Sequence, residues 1–118
     1  KVIVRLFVLL LLAAAPLFAR DAAENARIEA LIGKIEALEG AKFVRNGKAH
    51  DAAEAADHLR MKLKRAGDRV KTAEDFIDGI ATKSSVTGRP YRIRFKDGSE
   101  TETGPWLHDR LNEIDEES

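Results

Sequence analysis

The chain has 118 residues, 44% of them hydrophobic, with 20 basic and 20 acidic side chains, three histidines and no cysteine. That length holds one small domain with a modest core and leaves no room for two. The lack of cysteine excludes a disulfide framework, a thiol nucleophile and lipid attachment at an N-terminal cysteine, and a formal net charge of zero argues against nucleic-acid binding.

Lys1 and Arg5 flank the start of an uncharged apolar run, Leu6 to Ala15, which is followed by Pro16-Leu17-Phe18-Ala19. This is the layout of a secretory signal peptide, because about 14 uncharged residues fall short of the roughly 18 to 20 that span a bilayer. Cleavage after the small Ala19 would leave 99 of the 118 residues as a periplasmic or secreted domain, touching the membrane only through its leader. An uncleaved anchor is the alternative, since Leu17 is an imperfect residue two positions before the cut.

Beyond the leader, Ile28, Leu31, Ile32, Ile35 and Leu38 recur at steps of three and four, which predicts a helix from Asp21 to Glu39 closed by Gly40. Lys42 to Arg45 then reads as a short strand entering a tight Asn46-Gly47 turn. Asp51 and Glu54 have the spacing of a reciprocal cap on a second helix, with Ala55, Ala56, Leu59, Leu63 and Ala66 as its apolar stripe and Gly67 as its stop. Thr72 and Asp75 repeat the pattern for a third helix, whose Ala73, Phe76, Ile77, Ile80 and Ala81 share a face.

The turn-forming stretch Ser84 to Pro90 leads into a strictly alternating segment in which Tyr91, Ile93 and Phe95 face inward and Arg92, Arg94 and Lys96 outward. Asp97-Gly98 turns it into a more polar strand around Ser99 to Thr103. Gly104 and Pro105 then open a last helix anchored by Trp106, Leu107, Leu111 and Ile114, with a fraying acidic end. Lys83 to Lys96 carries five cations and no acid, while Asp97 to Ser118 carries eight acids against Arg110 alone; opposed charges of this kind attract weakly across a surface. The expected fold is α+β, about four helices with a small two- or three-stranded antiparallel sheet.

The histidines are His50, His58 and His108, and no two have the three- or four-residue spacing of metal ligands on one helix. No Gly-x-Ser-x-Gly elbow surrounds Ser84 or Ser85, and no pair of carboxylates singles itself out for glycoside hydrolysis. The loop from Ser84 to Arg89 gathers hydroxyls, the glycine Gly88 and a guanidinium ahead of Pro90-Tyr91. Its amides with Arg89 suit a carboxylate or phosphate; equally, Ser and Thr there can close their own backbone into turns.

The block Phe43-Val44-Arg45-Asn46-Gly47, with His50, Glu54-Ala55, His58-Leu59-Arg60 and Lys62-Leu63, resembles the YfeK-like family of small exported bacterial proteins, a domain of unknown function. Thr72-Ala73-Glu74, Phe76-Ile77-Asp78, Ser84-Ser85, Thr87-Gly88, Pro90-Tyr91 and Trp106-Leu107-His108 extend the resemblance over nearly all of the chain beyond the leader. It implies no activity, but its pattern picks out Arg45, Asn46, His50, His58, Arg60, Ser84, Ser85 and Thr87.

Three expectations follow. The first is a non-enzymatic envelope protein, without cofactor or metal, that binds a partner protein or small anionic ligand through the Ser84 to Arg89 loop and Tyr91, with Arg45, His58 and Arg60 nearby. The second is a hydrolase or lyase using His50 or His58 as base. The third treats these residues as mutual hydrogen-bond partners that fix the fold.

Overall fold

The computed structural model describes residues 20–118; the expected signal peptide, residues 1–19, lies outside the described residues. Helix α1 (Ala22–Glu36) starts where the Asp21 side chain accepts from the Glu24 amide at 2.9 Å, satisfying one of the open donors of the first turn. It buries Ile28, Leu31, Ile32 and Ile35 on one face, the three- and four-residue period expected. The helix ends three residues before Glu39, because the face ends with Ile35 and the Leu38 amide turns back to the Ile35 carbonyl. Gly40, at φ 70°, therefore redirects the chain into the sheet rather than closing the helix.

Strands β1 (Lys42–Arg45) and β2 (Lys48–His50) form a hairpin with Phe43 opposite His50 and Arg45 opposite Lys48. Its two turn residues, Asn46 at φ 52° and Gly47 at φ 79°, both take the left-handed region that a two-residue hairpin requires. Strand β1 also pairs with β3 (Arg92–Arg94), and β3 with β4 (Glu100–Glu102), all antiparallel, in the order β2-β1-β3-β4. The sheet thus has four strands, not two or three. The strand missing from the sequence reading is β2, whose Lys-Ala-His has no apolar alternation and is held only by its register against β1.

Helix α2 (Ala52–Ala66) is capped by Asp51, which accepts from the Glu54 amide at 2.8 Å. Glu54 does not complete the reciprocal box; its carboxylate lies 3.1 Å from His50 Nδ1 instead. At Thr72 the box is complete, with Asp75 accepting from the Thr72 amide and Thr72 from the Asp75 amide. Helix α3 (Ala73–Phe76) then widens into a π-helical turn, Ile77–Ala81, and buries all five of its predicted apolar residues. Helix α4 (Thr103–Glu116) carries Pro105 in its first turn, where no intrahelical donor is lost, and buries Leu107 and Leu111.

The helices and the inner face of the sheet share one core, in which Phe76, Ile93 and Leu107 meet the α1 face. Arg27 binds it from outside. Its guanidinium donates to Glu24, to Glu74 at the start of α3 and to Asp115 near the end of α4. The acidic end expected to fray is helical through Glu116, with Asp115 held by Arg27. The opposed charges of the two C-terminal segments meet in part where Glu100 pairs with Arg92 at 3.3 Å and Arg94 at 3.5 Å. No helix among the described residues is long and apolar enough to cross a membrane.

Candidate functional site

Residues from β1, β2 and α2, with Tyr91 just before β3, line a small cleft of about 30 Å³ along one side of α2. Phe43, Leu59 and Ala81 give it an apolar floor, and Arg45, His50, His58 and Tyr91 line it with polar ends. The arrangement follows from local structure. Arg45 ends β1 just before the hairpin turn, β2 brings back His50 on the far side of it, and Tyr91 precedes β3 with its ring turned inward. The cleft continues into a second depression, of about 260 Å³, that shares Arg45, His58 and Tyr91 and adds Asn46, Lys62, Arg65, Ser84 and Ser85.

At the junction a chain of polar groups runs through Tyr91. Lys62 Nζ donates to the Tyr91 hydroxyl at 2.9 Å, to the Ile80 carbonyl at 2.7 Å and to the Lys83 carbonyl at 3.2 Å. Since ammonium can only donate, the phenolic proton is left free to point at His58 Nε2, 3.5 Å away. Burial, followed by the charges of Arg45, Lys62, His50 and Arg65, pushes the His58 imidazolium down to about 4. His58 is therefore a neutral acceptor near pH 7. Burial also lowers the Lys62 ammonium and raises the Tyr91 phenol, the nearby Arg45 working against the latter shift. Arg45, Lys62 and Arg65 form no ion pair with a carboxylate among the described residues.

The Ser84 to Arg89 loop lies beside this site but does not form an anion cradle. Ser84 Oγ, nearly buried, accepts from the Val86 and Thr87 amides and from Asn46 Nδ2, each at 3.2 Å. The Gly88 amide goes to the Ser84 carbonyl and the Arg89 amide to Thr87 Oγ1. Thr87 Oγ1 in turn donates to Asn46 Oδ1 at 2.6 Å. Asn46, Ser84 and Thr87 thus lock the loop to the β1–β2 turn, and Arg89 reaches over that turn toward Gly47. Five of the loop's amides, those of Ser84, Val86, Thr87, Gly88 and Arg89, are consumed internally, which favours the structural role for those three residues.

Arg60 is not brought to the cleft. It lies on the side of α2 that faces α1, paired with Glu36 at 2.7 Å and Glu29 at 3.4 Å, and these partners raise its already high pKa. His108 is elsewhere too, with Asp78 at 2.8 Å. Lys62 and Arg65 were not singled out as site residues, although their spacing from His58, four and seven residues on, places all three on one helix face. Among the described residues no three His, Asp or Glu side chains are grouped as metal ligands.

The chain is similar in sequence to proteins of unknown function. A stretch of 71 residues is 48% identical to the uncharacterized protein YfeK of Salmonella typhimurium, covering 60% of this chain and 59% of that protein. The match spans less than two thirds of the relative's length. No solved structure matches the chain. A family model described as a family of unknown function, DUF5329, matches residues 22–115, which is the whole of the described domain but its ends, and the chain belongs to that family.

Proposed function

We propose that this chain is a non-enzymatic binding protein of the cell envelope, exported behind the leader of residues 1–19, and that its cleft takes a small organic anion. The observation that carries this is the convergence of Arg45, Lys62 and Arg65, without a carboxylate partner, on neutral His58 and Tyr91 beside an apolar floor. The cleft itself is small, about 30 Å³, with few polar groups over apolar walls, so it would seat only one end of a ligand, the remainder lying in the adjoining depression of about 260 Å³. Arg45 is the main anion anchor in this reading, because the three donors of Lys62 are already used and Arg65 lies further out.

The test is a titration followed by amide and imidazole NMR, with octanoate as an anion bearing an apolar tail and octylamine as its cationic counterpart. Octanoate should shift Arg45, His58 and Tyr91, octylamine should not, and Arg45→Ala should lose the response without a change in melting. No shift up to about 10 mM, enough to fill a site with a Kd near 1 mM, or equal shifts with both probes would overturn the proposal.

One observation favours a second reading, a hydrolase or lyase with a histidine base. His50 keeps only 10% of its side chain exposed and has Glu54 3.1 Å from Nδ1, which is how a base is oriented. Acyl transfer would also need free donors for an oxyanion, and the loop beside the cleft spends its amides internally. Saturable turnover of a 4-nitrophenyl ester that disappears in His50→Gln would support the enzyme.

A further inference from the structure

We infer that the turn carrying Val86, with the cations around it, is a contact surface for an anionic phospholipid bilayer. This goes beyond the sequence expectation, which confined membrane contact to the leader, and it does not depend on ligand binding in the cleft. Val86 is 92% exposed. A lone exposed aliphatic residue is ordinary, so the weight falls on how it is held and what surrounds it. Ser84 Oγ takes the Val86 amide itself and the Thr87 amide, the Gly88 amide closes on the Ser84 carbonyl, and Asn46 ties the turn to the sheet. The isopropyl group is therefore presented outward by a turn whose order is already established, and insertion among headgroups needs little further ordering.

The charge around it is predominantly positive. Arg45, Lys62 and Arg65 line the same depression as Val86, while Lys83 and Arg89 stand exposed at the two ends of the turn. Asp75 and Asp78 line the neighbouring groove, Asp75 accepting from the Lys71 and Thr72 amides and Asp78 lying against His108, so the cations outnumber the carboxylates around the turn without excluding them. An aliphatic tip ringed by cations matches an anionic interface, where the tip passes below the phosphates and the cations bind them. A protein partner would ask for a wider apolar patch at the centre of the contact, and Val86 stands alone here.

The absence of cysteine allows a site-specific test in the full chain. Val86→Cys and, as control, Asn112→Cys among the acidic side chains of α4 are each labelled with an environment-sensitive nitrobenzoxadiazole dye. Vesicles of phosphatidylglycerol mixed with phosphatidylcholine should raise the fluorescence of the label at 86 several-fold, with little change from the label at 112 or with phosphatidylcholine alone. Lys83→Glu and Arg89→Glu should each weaken vesicle binding by at least about fivefold, and high salt should reverse it. A label at 86 that stays in water overturns the inference. So does an equal response at 112, which would assign adsorption to the leader. The outcome is separable from the cleft reading, because octanoate binding requires Arg45 and not Val86.

Discussion

Replacing Ser84 by Ala removes one oxygen that holds three donors, and its cost can be worked from the geometry. Ser84 Oγ accepts from the Val86 amide, the Thr87 amide and Asn46 Nδ2 at 3.2 Å each, in a residue 5% exposed. A net hydrogen bond is worth about 1 kcal/mol, but the three share one oxygen and the two amides lie close enough to the surface to recruit water, so the loss should be about 1 to 2 kcal/mol. For a domain of this size each kcal/mol moves the melting temperature by about 4 to 8 °C, which places the expected drop at roughly 5 to 15 °C. Thermal unfolding followed by circular dichroism reads it directly. Asn46→Ala should interact with it in a double-mutant cycle, with a coupling of about 0.5 to 1 kcal/mol, because Asn46 bonds both Ser84 and Thr87. A Ser84→Ala variant that melts within about 0.5 kcal/mol of the parent, the range of an ordinary surface change, would refute the locking role and return the hydroxyl to ligand duty.

Two further outcomes concern pH. His58 has its pKa lowered from 6.5 to about 4 in the folded chain, so the unfolded chain binds the proton more readily in that window. The resulting penalty is absent above pH 6.5, grows as pH falls toward 4 and is constant below. His58→Gln should flatten that part of the stability profile, and an imidazole resonance titrating near 6.5 would contradict the buried, cation-flanked setting. Arg27 holds the Glu74 carboxylate below its ordinary pKa, so the stability Glu74 contributes is present above about pH 4.5 and is lost as pH falls through its lower folded value. Arg27→Met should cost about 1 to 2 kcal/mol near neutral pH, as expected for three partly exposed pairs, and less in acid; an equal loss at both pH values would mean that packing, not charge, carries the effect.

The elements legible in the sequence are those whose signal is local. The Asp51 and Thr72 caps, the α1 face from Ile28 to Ile35, the Asn46-Gly47 turn and the alternation of Tyr91, Ile93 and Phe95 each rest on residues within a few positions of one another. What could not be read is non-local. β2 exists because Phe43 and Val44 face His50 and Ala49 across the turn, and three residues without alternation give no pattern of their own. The π-helical turn from Ile77 to Ala81 is likewise invisible to a periodicity that fits an α-helix equally well, and its Ile80 carbonyl is bonded by Lys62 from another helix.

The candidate site divides by the same rule, and α2 shows how. His58, Leu59 and Arg60 are adjacent in sequence and fall in one block of the family pattern, yet two residues along a helix is a turn of about 200°, so His58 and Arg60 must face opposite ways. Leu59 lies buried between them. The side of Arg60 was settled by Glu29 and Glu36 on α1, and the side of His58 by Tyr91 and Arg45, partners that no local pattern names. Lys62 and Arg65 follow His58 onto its face, where helical spacing alone does not distinguish them from ordinary solvated cations. A cationic cleft is thus assembled from side chains that each read as surface, and what distinguishes it is that Arg45, Lys62 and Arg65 form no ion pair among the described residues. That gives the charge at Arg45 a sharper consequence than its position alone: Arg45→Glu would supply the missing partner to Lys62 and Arg65, and should abolish octanoate binding while raising, not lowering, the folded pKa of His58.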